Sequence, residues 1–173
     1  MIRALFMAFA LSSSLAGAAL LTGCGFTPMH ATSPASAKLA DIQVDMKKGS
    51  DVVDNQAGFF VTQRLRDRIG NASAASPYRV EITPIYRRSR FGLTDADIAS
   101  RYDITVSTQW TLLDTKTGDT LDKGTTSSTS TFGAPEGPFG VITADNVGVE
   151  QAAKETADRL ILDLARALAS QKR

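Results

Sequence analysis

"YDITVSTQWTLLDTKTGDTLDKGTTSSTSTF", residues 102–132, is the stretch on which the fold turns. Tyr102, Ile104, Val106, Trp110 and Leu112 share one parity, while Asp103, Thr105, Ser107, Gln109 and Thr111 take the other. Side chains of a strand point alternately to its two faces, so this pattern predicts a strand with one buried and one polar face. Asp114 to Asp119 (DTKTGD) then predicts a hairpin turn with Gly118 at a positive φ. The return stretch, TLDKGTTSSTSTF, resembles a linker when taken alone. Paired back onto the strand before it, a Thr-rich segment makes a good polar-faced strand.

Outward from this hairpin the other elements fall into place. Tyr78 to Thr83 alternates around Val80 and Ile82, and Pro84 is expected to break the ladder, at an edge or a bulge. Leu39 to Met46 alternates and predicts a first strand. Asp51 or Asp54 is the expected cap of a helix that carries Val61, Leu65 and Ile69 on one side and ends at Gly70-Asn71. Phe59 and Phe60 at its start are expected in the core. Gly133 to Gly140 reads as a Pro/Gly loop. From about Asp145 a long helix is expected, with Ala153, Ala157, Leu160, Ile161, Leu164 and Leu168 in one stripe. Glu150/Lys154 and Glu155/Arg159 are spaced to pair along its exposed side. The order β-α-β-β-β-α predicts an α+β two-layer sandwich, a small, mostly antiparallel or mixed four-stranded sheet with two helices on one face.

The other end of the chain reads as an address. Arg3 precedes an uncharged run over residues 4–21, and Thr22-Gly23 lead to Cys24. A basic start, an apolar middle and a small-residue exit predict a secretory signal peptide over residues 1–23. A transmembrane anchor fits less well, because Ser12, Ser13, Ser14 and Gly17 dilute the run and no basic stop follows. Leu21-Thr22-Gly23-Cys24 resembles the bacterial lipobox, and Cys24 is the only cysteine of the chain. The resemblance implies a diacylglycerol on the thiol and an acyl chain on the new amino terminus; no other cofactor is expected. One chain holds a membrane weakly, and two or three hold it durably. Gly25 in place of the Asp of retained lipoproteins implies the periplasmic side of the outer membrane. Residues 24–37, with two prolines and many small side chains, are expected to form a flexible lipidated tether. Residues 38–173 are then a single α+β domain.

Composition narrows the function. The 173 residues carry 19 Lys and Arg against 18 Asp and Glu. Arg3 leaves with the leader, so the mature chain is formally neutral, which argues against capture of nucleic acid by overall charge. The one histidine, His30, lies in the expected tether, too mobile for a preorganised base, so no Ser-His-Asp or Cys-His set is available to the domain. No Walker-type loop or paired-histidine metal motif occurs. Asp95 and Asp97 read as carboxylates of a solvated turn. No enzyme is expected, and no metal site.

Cys24-Gly25-Phe26-Thr27-Pro28-Met29-His30 resembles the C-G-F-x-P-[LM]-[YH] opening of mature LptE-type lipopolysaccharide-assembly lipoproteins, with His where Tyr is commoner. Residues 78–132 are similar to that family's middle, two strands divided by a variable loop and followed by a D-x-x-T-G hairpin. The Pro/Gly loop and Ala-rich last helix extend the likeness over nearly the whole mature chain. The resemblance implies a non-catalytic partner of the LptD-type outer-membrane β-barrel, a plug that helps it assemble and contacts lipopolysaccharide.

Arg87, Arg88 and Arg90 in "YRRSRFG", with Arg101 beyond the loop, are candidate contacts for lipopolysaccharide, since guanidinium groups grip phosphates bidentately. Lys116 and Lys123 are candidates to extend that patch. A solvated charge run, or contact with a barrel wall, reads the same residues differently. A free-standing lipoprotein that binds lipid or peptidoglycan, or an accessory of a transport system, is the alternative function.

Overall fold

The computed structural model describes residues 34–171 apart from 71, 74, 94–98 and 136. The leader, Cys24, His30 and the rest of the expected tether as far as residue 33, like Asp95 and Asp97, lie outside the described residues.

The alternating stretch forms the centre of a four-stranded sheet. Strand β3 (Ala99–Asp114) pairs antiparallel with β4 (Thr120–Gly133), with Val106 opposite Ser128 and Trp110 opposite Gly124. Gly118 has φ 78° in the turn between them, where a side chain would be strained. On its other side β3 pairs antiparallel with β2 (Tyr78–Leu93), Ile82 opposite Trp110. Strand β1 (Ile42–Met46) joins β2 in parallel, and the order is β1-β2-β3-β4. Three helices complete the described residues: α1 (Pro34–Ala40), α2 (Val52–Ile69) and α3 (Gly137–Ser170). Ile42, Val44, Val80, Ile82, Ile104, Val106 and Leu112 bury their side chains under α2 and α3. The opposite face carries Thr83, Thr105, Ser107, Gln109 and Thr111, and no helix among the described residues packs on it. This is the expected two-layer α+β arrangement, with a mixed sheet.

Helix α2 starts at a capping box. The Asp51 side chain accepts from the first turn, and the Asp54 carboxylate accepts from the Asp51 N–H. Both predicted caps are used, in reciprocal roles. Val61, Leu65 and Ile69 are buried as their spacing predicts. Arg64 Nε and Nη2 reach the two oxygens of Asp158 on α3 at 3.0 and 2.8 Å, a bidentate pair that fixes the two helices side by side. That bond, opposed by burial and helped by the charges of Arg64 and Arg68, holds the Asp158 carboxyl below its usual range.

On α3 the predicted stripe from Ala153 to Leu168 is buried throughout. Glu150 and Lys154 pair at 2.6 Å. Glu155 and Arg159 turn away from each other toward β4 instead. Ser128 Oγ donates to Glu155 at 2.6 Å, and Arg159 Nη1 donates to the Ser127 carbonyl at 3.1 Å. Trp110 is 6 % exposed and donates its indole N–H to Thr126 Oγ1 at 3.1 Å; the Thr126 hydroxyl donates in turn to Asp163 Oδ2 at 2.7 Å. The ring lies flat against Gly124, where a Cβ would stand 2.8 Å from it.

Four further expectations need correction. Helix α1 begins at Pro34, four residues inside the stretch expected as tether, and takes Leu39 out of the predicted first strand; Leu39 is buried, and α1 packs on α3. Phe59 is 59 % exposed, since it points away from the side of α2 that carries Val61 and Leu65; Phe60 packs against the core. Helix α3 starts eight residues early, at Gly137, because Pro138 falls in the first turn, where its missing N–H has no helical partner to lose. Pro84 does not end β2, which runs on to Leu93. Strand β1 stops opposite Ile82, so Pro84 meets no strand on that side and leaves no ladder bond unmade.

Candidate functional site

The continuation of β2 past Pro84 turns what was expected to be a loop into a long β2–β3 hairpin, and this hairpin carries the arginines. Its root is held by Asp54, a side chain 5 % exposed. The Tyr86 N–H, on the edge that β1 vacates, donates to Asp54 Oδ1 at 2.6 Å, while Ser50 Oγ and the Asp51 N–H donate to Oδ2 at 2.8 and 3.2 Å. A helix carboxylate thus replaces the missing strand. Burial alone would push this carboxyl up, but the bonds from Tyr86, Ser50 and Asp51 together hold it below its usual value.

Above the root, strand parity sorts the basic residues onto two faces. Arg88 and Arg90 share the helix side with Tyr86 and Tyr102; Arg87 and Arg101 share the bare side. Arg88 is committed. Its Nε lies 3.4 Å from Asp145 Oδ1 on α3, and its guanidinium sits 4.4 Å over the Tyr102 ring, which stacks on Phe132 with centroids 5.5 Å apart. The Tyr86 hydroxyl donates to the same carboxylate at 3.3 Å. Burial first, then the Asp145 charge, pushes the Tyr86 hydroxyl up to about 12. Arg101 lies 5.0 Å over Phe91 and 3.4 Å from Asp103 Oδ1. Arg87 and Arg90 are exposed, with no ion pair among the described residues.

The lysines do not extend this patch. Lys116 is in the β3–β4 turn and Lys123 stands opposite Thr111, whereas Arg101 stands opposite Gly133. About ten residues of β3 separate the two levels, roughly 33 Å at the strand rise. The sequence names Asp54 only as a cap, not as the partner of the hairpin, and singles out neither Tyr86 nor Asp145 for a role there. A carboxylate three residues into a helix was the available signal for Asp54; nothing local marks the other two. The first turns of α3 add exposed apolar groups near the hairpin's level, Phe139 at 86 % and Ile142 at 60 %. Among the described residues no cluster of three or more His, Cys, Asp or Glu side chains is placed to hold a metal ion, and no helix is long and apolar enough to cross a membrane.

No protein-family model matches the chain, and no curated protein matches it in sequence. Solved structures do. A candidate lipoprotein of Caulobacter crescentus is 26 % identical with a TM-score of 0.64, over 82 % of this chain and 99 % of its own. Rare lipoprotein B of Shewanella oneidensis is 12 % identical with a TM-score of 0.56, over 76 % and 98 %. Lipoprotein B of Nitrosomonas europaea is 9 % identical with a TM-score of 0.53, over 84 % and 93 %. The fold is one that small bacterial envelope lipoproteins share.

Proposed function

We propose that this chain is a non-catalytic outer-membrane lipoprotein, acylated at Cys24 and held on the periplasmic side, that plugs an LptD-type β-barrel, assists its assembly and helps lipopolysaccharide reach the cell surface. The observation that carries the reading is a domain with the fold of bacterial lipoproteins placed directly behind a lipobox-like cysteine. The bare sheet face is compatible with it. Barrel interiors of this class are polar, and Thr83, Thr105, Ser107, Gln109 and Thr111 suit such a wall better than they suit lipid. Among the described arginines of the hairpin, Arg87 and Arg90 have guanidinium groups outside any ion pair and free for phosphates.

The test is purification from outer membranes by a tag on the last helix, with mass spectrometry of what stays bound. Recovery of a β-barrel together with lipopolysaccharide supports the reading. Extraction by detergent as a lone lipoprotein, or with peptidoglycan fragments only, overturns it.

A further inference from the structure

The two edges of the sheet are treated differently. Past β1, the exposed edge of β2 is guarded by Pro84, by Asp54 on the Tyr86 N–H and by Arg88 and Arg90. Strand β4 is the other edge. It is 14 residues long, pairs among the described residues only with β3, and from residue 125 to 132 contains no charge, proline or glycine. Its register irregularity is confined to the turn end, at Leu112/Leu113. Three contacts show which backbone groups face outward. The Leu121 carbonyl accepts from Gln171 Nε2, the Lys123 N–H donates to Asp122 Oδ1, and the Ser127 carbonyl accepts from Arg159 Nη1. By the alternation of an antiparallel ladder, the N–H groups of Thr125, Ser127, Thr129 and Thr131 point the same way. None of the four has a partner among the described residues.

We infer that this edge is the contact between two copies of the chain in the free protein, β4 pairing antiparallel with β4 about a two-fold axis at Ser127, which then stands opposite its own copy, to give a continuous eight-stranded sheet. The occupant is argued from charge. Glu155 and Arg159 flank the edge one helical turn apart and bond to Ser128 and Ser127 respectively. A two-fold axis at Ser127 sets Glu155 of each copy against Arg159 of the other, so the flanking charges are complementary to themselves. Across the strands, Thr and Ser meet Thr and Ser, pairs that hydrogen-bond favourably. This inference does not rest on the barrel reading, since it concerns the chain before it meets any other protein.

The test uses the mature chain with Cys24→Ser, which contains no other cysteine. Ser127→Cys and Ser128→Cys are compared with Thr117→Cys at the far turn. Light scattering is expected to give twice the monomer mass. Oxidation is expected to cross-link at position 127 and not at 128 or 117, because a disulfide needs Cα atoms within about 7 Å. Ser127→Pro removes an outward N–H, and Thr129→Lys places a charge on the edge. Each should weaken dimerisation at least tenfold with an unchanged circular dichroism spectrum. If one variant misfolds, the other decides. A monomer at all concentrations overturns the inference, as does a dimer that survives both variants without a cross-link at 127.

Discussion

Replacing Asp54 tests whether a side chain can stand in for a strand. Asp54→Ala removes the acceptor of the Tyr86 N–H, which the extended hairpin has no other way to satisfy. Leaving such a group unpaired costs about 1–3 kcal/mol. The same substitution breaks one half of the capping box, worth roughly 0.5–2 kcal/mol. The two losses share one carboxylate and are not independent, so about 2–4 kcal/mol in total is expected. Urea unfolding of the mature Cys24→Ser chain measures it. Amide hydrogen exchange at Tyr86 locates it, because exchange there should rise more than at Val80, deep in the β1–β2 ladder.

The pH dependence has a definite sign. The folded Asp54 carboxyl titrates below its unfolded value, so its stabilising contribution is fully present above about pH 4. It is lost as pH falls from there through the folded value. Asp158 acts in the same direction through Arg64. Asp54→Asn should therefore flatten the acid limb of the stability curve without abolishing it. An Ala variant within 0.5 kcal/mol of the parent, or an Asn variant with an unchanged acid limb, would refute the idea that this carboxylate secures the hairpin.

Trp110→Ala should cost about 3–5 kcal/mol, since the buried ring and its link through Thr126 to Asp163 are both lost; an unchanged melting temperature argues against it. Cys24→Ala should leave a precursor or a soluble periplasmic species, and fatty-acid label persisting on that variant sinks the lipobox reading. Arg87→Glu with Arg90→Glu should weaken binding of purified lipopolysaccharide, most at low salt, where phosphate attraction is least screened. Lys116→Glu with Lys123→Glu, at the other end of the sheet, should leave that binding unchanged. Equal affinity in the arginine variant moves the ligand contact elsewhere.

The β3–β4 hairpin and the buried stripes of α2 and α3 were legible because one face of each element is apolar at its own period, and burial follows that period directly. The upper half of β2 was not legible. Its helix-side residues are Pro84, Tyr86, Arg88 and Arg90, and what keeps them in a strand comes from afar: β3 along the whole length, Asp54 from α2, and Asp145 from α3. A polar strand secured by groups 32 and 57 positions away in sequence leaves no local pattern. That blind spot reaches the function. In a loop, Arg87, Arg88 and Arg90 would form one mobile patch open to a phosphate from any side. On a strand, Arg87 faces one way and its neighbours the other. Arg88 spends its charge on Asp145 and Tyr102, and the guanidinium groups left for a ligand stand on opposite sides of the sheet. If the proposed function holds, a bulky polyanion meets Arg87 and Arg90 together only at the rim of the hairpin, not on either face.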